Sequence, residues 1–358
     1  MKKLAARLAL LSVSLLISLA AAEGIYRWSQ QQDDAPDGDD DDWRQRYIRL
    51  NETLYRRSNA ELIYEPVPGA TVPMEYGQAS FNEGAMRMDH EVAVTPTERR
   101  VAVLGDSIVW SEFLAAHDAL PQRLDQALGE GWEVLNFGVT GYDTAQEAAW
   151  YERAVRRYRP EIAVLVWCMN DVMIMSGPFE RVANPEERAR KDAQEALIQR
   201  VAPVRRETID GVHKDREAEA TLRLLARLEA ILDRRRFDAN YIDEYLVMFD
   251  QEESRARVEA ALRRLGHALE EDGVQGVFVI SPVLESWEDY HWTAMHEWLE
   301  EEASEAGFSV VDLFTQWKGS EDPESMRVSG DNLHYDGSGA RVFARTVADA
   351  LRALPRNE

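Results

Sequence analysis

Four short segments hold residues whose types suit one kind of chemistry. Ser107 stands in "RRVAVLGDSIVW" (99–110), a lone hydroxyl where an apolar run gives way to Gly-Asp-Ser. Gly138 and Gly141 stand in "NFGVTGYDT", Asn170 in "CMNDV", and Asp331 with His334 in "SGDNLHYDGSGA". A serine hydroxyl is a poor nucleophile until a neighbouring base takes its proton, and an imidazole can take it and return it to a leaving group. Asp331 lies three residues before His334, close enough for a tight turn to set its carboxylate against the ring. The Ser107 and Gly141 amides and the Asn170 side chain could donate to the oxyanion of a tetrahedral intermediate. Glycine suits such a position because its backbone approaches closely and tolerates unusual dihedrals. These are the parts for acyl transfer through a serine ester. Gly-Asp-Ser by itself is also an ordinary turn, so the chemistry depends on whether the segments meet.

What would bring them together is a parallel sheet. From Arg99 onward, apolar runs alternate with amphipathic stretches. The runs are "VAVLG" (101–105), "WEVLNFGV" (132–139), "EIAVLVWC" (161–168), "GVFVISPV" (276–283) and "FSVVDLF" (308–314). They are dense in Val, Ile and Leu rather than alternating, the pattern of strands covered on both faces. Helices are predicted over 118–129, 143–159, 255–272, 288–306 and 337–353. This rhythm implies an open α/β sandwich whose strand-end loops converge on one edge. Ser107 follows the first strand, the glycines the second, Asn170 the third, and Asp331 and His334 the fifth.

The blocks "GDSI", "NFGVTG", "CMND" and "DNLH", in this order and spacing, resemble those of the SGNH/GDSL hydrolase superfamily. The likeness covers about 99–354, and "FNEGAMR" (81–87) resembles the lead-in of exported bacterial members. It implies a flavodoxin-like three-layer α/β/α sandwich with a central parallel five-stranded sheet. It also implies Ser107 as nucleophile, His334 as base, Asp331 as its orienting carboxylate, and Ser107, Gly141 and Asn170 as the oxyanion hole. Neither a metal nor an organic cofactor is implied. Cys168 stands where the third block usually carries glycine. The G-x-S-x-G elbow of another hydrolase fold is absent.

The rest of the chain frames this domain, taken as 60–358. With 65 acids against 41 bases the formal charge of the 358 residues is −24, which argues against a nucleic-acid partner. A single cysteine excludes an internal disulfide and a cysteine-based zinc cluster. Lys2, Lys3 and Arg7 precede an apolar run from Leu8 to Ala22. At 1.5 Å per helical residue that run reaches about 22 Å, short of a hydrocarbon core of roughly 30 Å. Residues 1–28 therefore read as a secretory signal or a membrane signal-anchor, and either places the remainder outside the cytoplasm. Residues 29–59 read as an acidic linker and connecting segment, 60–98 as an extended wrapping segment, and 176–254 as a helical insertion that caps the site or packs on the body.

Other residues have plainer roles open to them. Asp106 suits bonding of loop amides, and Cys168 suits packing at a strand end. His117 lies near the first loop; His291 and His296 lack a zinc-binding spacing and read as surface helix positions. Trp110, Tyr142 and Trp167 could be core or could stack on a sugar. The expectation is an exported serine esterase acting on O-acyl, chiefly O-acetyl, esters of a small molecule or polysaccharide. An O-acyltransferase, a lipid esterase and a non-catalytic carbohydrate-binding or envelope-scaffold protein are the alternatives.

Overall fold

The computed structural model describes residues 52–74, 77–173, 240–288, 290–329 and 331–355, with 193–194 and 196–197. The signal or anchor, most of the linker and most of the insertion lie outside them. Two antiparallel hairpins come first: β1 (Tyr55–Arg57) with β2 (Tyr64–Pro66), and β3 (Thr71–Met74) with β4 (Gly77–Ser80). The linker boundary expected at 59 thus falls inside a hairpin. Arg56 and Arg57 disguise β1 as polar chain, yet Tyr55 is buried and Arg56 forks onto Glu65 of β2.

The central sheet holds β5 (Arg99–Leu104), β6 (Trp132–Asn136), β7 (Ile162–Trp167), β8 (Gln275–Ile280) and β9 (Ser309–Asp312). All pairings are parallel, in the order β6-β5-β7-β8-β9. Every residue of β7 is buried, which is why its sequence shows no alternation. The helices are α1 (Ser107–Trp110), α2 (Leu120–Leu128), α3 (Thr144–Trp150), α4 (Asn240–Phe249), α5 (Glu252–Asp272), α6 (Thr293–Glu305), α7 (Leu313–Trp317) and α8 (Gly337–Ala353). α2 packs on α8, while α3 packs on α5, which also meets α6. Helices flank the sheet, making the expected three-layer sandwich.

Local chemistry sets where several helices begin. Asp143 and Gln146 form a reciprocal capping box at α3, and Asp336 accepts from the Ser338 and Gly339 amides at α8. Beyond Trp150 the predicted helix loosens into a π-turn (Tyr151–Val155) and a 3₁₀ turn (Arg156–Tyr158). The insertion boundary at 254 also shifts. α5 begins at Glu252, and the buried Tyr245, Leu246, Val247 and Met248 pack α4 against the turn following β7.

The strand order places the site. The chain leaves β5 for β6 on one side and then crosses to β7 on the other. The carboxyl ends of these three strands therefore bound the crevice where the order reverses. Ser107 emerges at that point.

Candidate active site

Ser107 is the first residue of α1, whose opening amides have no intrahelical acceptor. Asp106 makes the turn: its Oδ1 accepts from the Ile108 amide at 2.8 Å. Its Oδ2 lies 3.3 Å from Ser107 Oγ. The neighbouring loop presses close, because a Cβ on Gly138 would stand 2.4 Å from the Trp110 backbone nitrogen. Only glycine fits there.

Asp331 and His334 are joined by the local turn their spacing predicts. Asp331 Oδ1 accepts from the Leu333 and His334 amides at 2.8 and 3.0 Å, which orients the carboxylate. Its Oδ2 lies 2.7 Å from His334 Nδ1. That contact puts the proton on Nδ1, so Nε2 presents a lone pair. Ser107 Oγ is 2.8 Å from Nε2. Burial alone would lower the imidazole's pKa, but the Asp331 hydrogen bond and charge, aided by Glu112 and Asp106, raise it above the ordinary value. Burial likewise opposes ionisation of Asp331, yet the His334 contact and the two amides bring its pKa below the usual carboxylate range. The arrangement can draw a proton from the serine hydroxyl while an ionised carboxylate steadies the ring.

Asn170 enters from a 3₁₀ turn, Met169–Val172, at the end of β7. Its Nδ2 donates to Asp106 Oδ2 at 2.7 Å, so one carboxylate links the carboxamide to the serine turn. Cys168 has φ −124°, extended backbone that any residue adopts, so cysteine in the family's glycine place does not distort the turn. Asp171 Oδ2 holds the Cys168 amide at 2.9 Å. Gly141, at φ +75°, sits in the adjoining loop after β6. Serine, imidazole and carboxylate are thus in direct contact, Asn170 is one hydrogen bond away through Asp106, and Gly141 belongs to the loop alongside.

Residues 103–342 match the family model of the GDSL-like lipase/acylhydrolases. The chain belongs to that family. It is accordingly an ester-bond hydrolase. No curated protein matches the sequence. Among solved structures it is similar to Axe2, an acetylxylan esterase from Geobacillus stearothermophilus. The two share 15% identity over 75% of this chain and 100% of that one, at a TM-score of 0.42. LAE5, an alpha/beta hydrolase enzyme from the metagenome of Lake Arreo in Spain, gives 14%, 72%, 97% and 0.42. Likenesses this loose do not bear on substrate.

Several side chains of this GDSL hydrolase stand apart from expectation. Trp110, Tyr142 and Trp167 are fully buried, so none offers a face to a sugar. The Tyr142 hydroxyl instead donates to the Tyr64 carbonyl at 2.6 Å, tying the Gly141 loop to the first hairpin. His117 is 73% exposed and pairs with Asp118. Burial pushes the Cys168 thiol well above its usual pKa, which keeps it protonated and inert as a rival nucleophile. The surface reading of His296 is wrong. His291 is exposed, but His296 is buried between Asp312 and Tyr290. No sequence motif announced this, because its partners come from another loop and strand.

Glu147 was also missed. It sits on the buried face of α3, and burial followed by the Asp171 and Asp106 charges pushes it well above the carboxylate range. Burial thus favours its protonated form, close to the Asn170 turn. The signal in the sequence was faint: a glutamate inside the apolar face of "TAQEAAW". Among the described residues no group of His, Cys, Asp and Glu could hold a metal ion. Nor is any described helix long and apolar enough to cross a membrane; the run Leu8–Ala22 lies outside them.

Proposed function

We propose that this GDSL hydrolase works through an acyl-serine intermediate, with Ser107 as nucleophile, His334 as general base and then acid, and Asp331 holding the ring. The contact of Ser107 Oγ with His334 Nε2 at 2.8 Å carries this reading. In the first half-reaction Oγ bonds to the ester carbonyl carbon as its proton passes to Nε2, and the alcohol leaves with that proton. In the second, water gives a proton to Nε2 and its oxygen to the acyl carbon, which frees the acid and restores Oγ–H. The Ser107 and Gly141 amides and Asn170 Nδ2 receive the developing oxyanion. The Asp106 hydrogen bond to Asn170 supports the orientation this requires.

The substrate proposed is an O-acyl, chiefly O-acetyl, ester on a carbohydrate outside the cytoplasm. Its support is the export-type amino terminus, since the buried aromatics no longer contribute. A fluorophosphonate probe tests the nucleophile: labelling of the native chain should vanish in Ser107→Ala. Undiminished labelling would remove Ser107 from the role. Acetate release from acetylated xylooligosaccharides, compared with fatty-acid release from phospholipid vesicles, tests the substrate. Faster vesicle hydrolysis would overturn the carbohydrate reading.

A further inference from the structure

Arg87 ends the segment "FNEGAMR" and is 3% exposed, and among the described residues its hydrogen bonds go to backbone carbonyls. Its guanidinium forks onto two carbonyls of the loop after α1: Nη1 donates to Ser111 O at 2.8 Å, and Nη2 to Leu114 O at 2.7 Å. The same group lies 4.5 Å from the centre of the Trp110 ring. The loop it clasps is strained at its first residue, since Ser111 takes φ 58° and ψ 61° without being glycine. For a non-glycine residue that conformation is sterically unfavourable. Three local contacts help offset it. Ser111 N donates to Ser107 O at 2.8 Å, Ser111 Oγ to Ile108 O at 3.1 Å, and Leu120 N to Ser111 Oγ at 2.9 Å. Between the two clasped carbonyls stands Phe113, whose ring meets His334 edge-on with centroids 5.0 Å apart.

We propose that Arg87 and Phe113 form a positioning pair for His334, the buried guanidinium holding the strained loop so that the Phe113 ring covers the imidazole. This rests on the catalytic roles assigned above. Neither residue reacts; both act through the histidine. A lysine at 87 would keep the charge but could not hold two carbonyls in one planar fork. Loss of the ring would wet one side of an imidazole that Asp331, Glu112 and Asp106 already favour in its protonated form.

The test is kcat/KM against pH on p-nitrophenyl acetate for the full-length chain and its Phe113→Ala, Phe113→Leu, Arg87→Lys and Arg87→Lys/Phe113→Ala variants, each well below its melting temperature. Phe113→Ala should lose roughly tenfold in kcat with KM little changed, as expected for a displaced catalytic group. Its acid limb should also move to higher pH. Phe113→Leu, which keeps apolar cover, should restore most of the limb. The double variant should be little worse than Phe113→Ala alone, because both changes remove one effect. An unmoved limb, or penalties that simply multiply, would overturn the pairing. Ser107→Ala is run alongside. If it is inactive while the limb stays put, only the pairing fails; if it still turns over, the catalytic assignment falls too.

Discussion

Among the described residues, two imidazole–carboxylate pairs carry a hydroxyl on the far ring nitrogen. At the strand-order reversal, His334 lies 2.7 Å from Asp331 and 2.8 Å from Ser107 Oγ. At the β9 edge, His296 lies 2.8 Å from Asp312 and 2.9 Å from Tyr290 Oη. The parts match, but their settings do not. The Tyr290 hydroxyl also accepts the Val283 amide at 3.1 Å, and its ring stacks on Phe314 at 3.9 Å. Burial pushes its pKa well above the ordinary phenol value. That hydroxyl is committed to holding the loop after β8, whose Leu284 amide in turn donates to Asn332 O at 2.7 Å. The Ser107 hydroxyl instead stands at the end of a strand, with a carboxamide and a glycine loop beside it. Under the proposed mechanism, the carboxamide and glycine loop beside the Ser107 hydroxyl are what set this pair apart from the one at His296.

Substitutions can break that comparison. The largest expected effect is on the Ser107 side: His334→Ala should cut kcat for a simple ester by about 10⁵–10⁶ with the fold retained by circular dichroism. Asp331→Asn should be roughly 10- to 100-fold gentler, because the ring remains but loses its orienting charge. Equal losses in steady-state turnover would show that the carboxylate does more than orient and stabilise. Asn170→Ala should lower kcat by about 10²–10³, the usual cost of one oxyanion donor.

The pH profile sharpens the same contrast. The base must be neutral to act, and Asp331 holds the His334 pKa above the ordinary value of about 6.5. Activity should therefore fall as pH drops through a midpoint above that value. Asp331→Asn should move the midpoint down, since the neutral amide no longer favours imidazolium; an upward shift would contradict the electrostatic assignment.

The smallest catalytic effect belongs to the second pair. His296→Asn or Tyr290→Phe should change kcat/KM by less than about tenfold while costing about 1–3 kcal/mol of stability from broken buried hydrogen bonds. The pH dependence of that stability has a definite sign. Burial opposes ionisation of Asp312, but His296 brings its pKa below the usual range. The stabilisation is thus present above the unfolded carboxylate value and lost as pH falls through the folded one. Urea melts at stepped pH would read it. A loss of turnover as deep as that of His334→Ala would erase the distinction between the pairs.

The amino-acid sequence by itself determined the strands and the local turns. Each apolar run became a strand of the sheet; β7 at its centre is buried throughout, while the edge strand β9 buries only Val311. "DTAQ" and "DGSG" start helices because capping is settled within three residues. Asp331 and His334 were legible as a pair for the same reason: three residues apart, their turn closes locally. Only the tertiary structure decided contacts between distant segments. His296 and Asp312 are 16 residues apart, Arg87 and Ser111 are 24 apart, and Ser107 and His334 are 227 apart. It also buried Trp110, Tyr142 and Trp167, which the sequence left free to be core or sugar platform. Local hydrogen bonding depends on residue types a few positions apart. Side-chain burial and long-range pairing depend on which faces of the sheet and helices meet, and that follows from the whole chain packing at once.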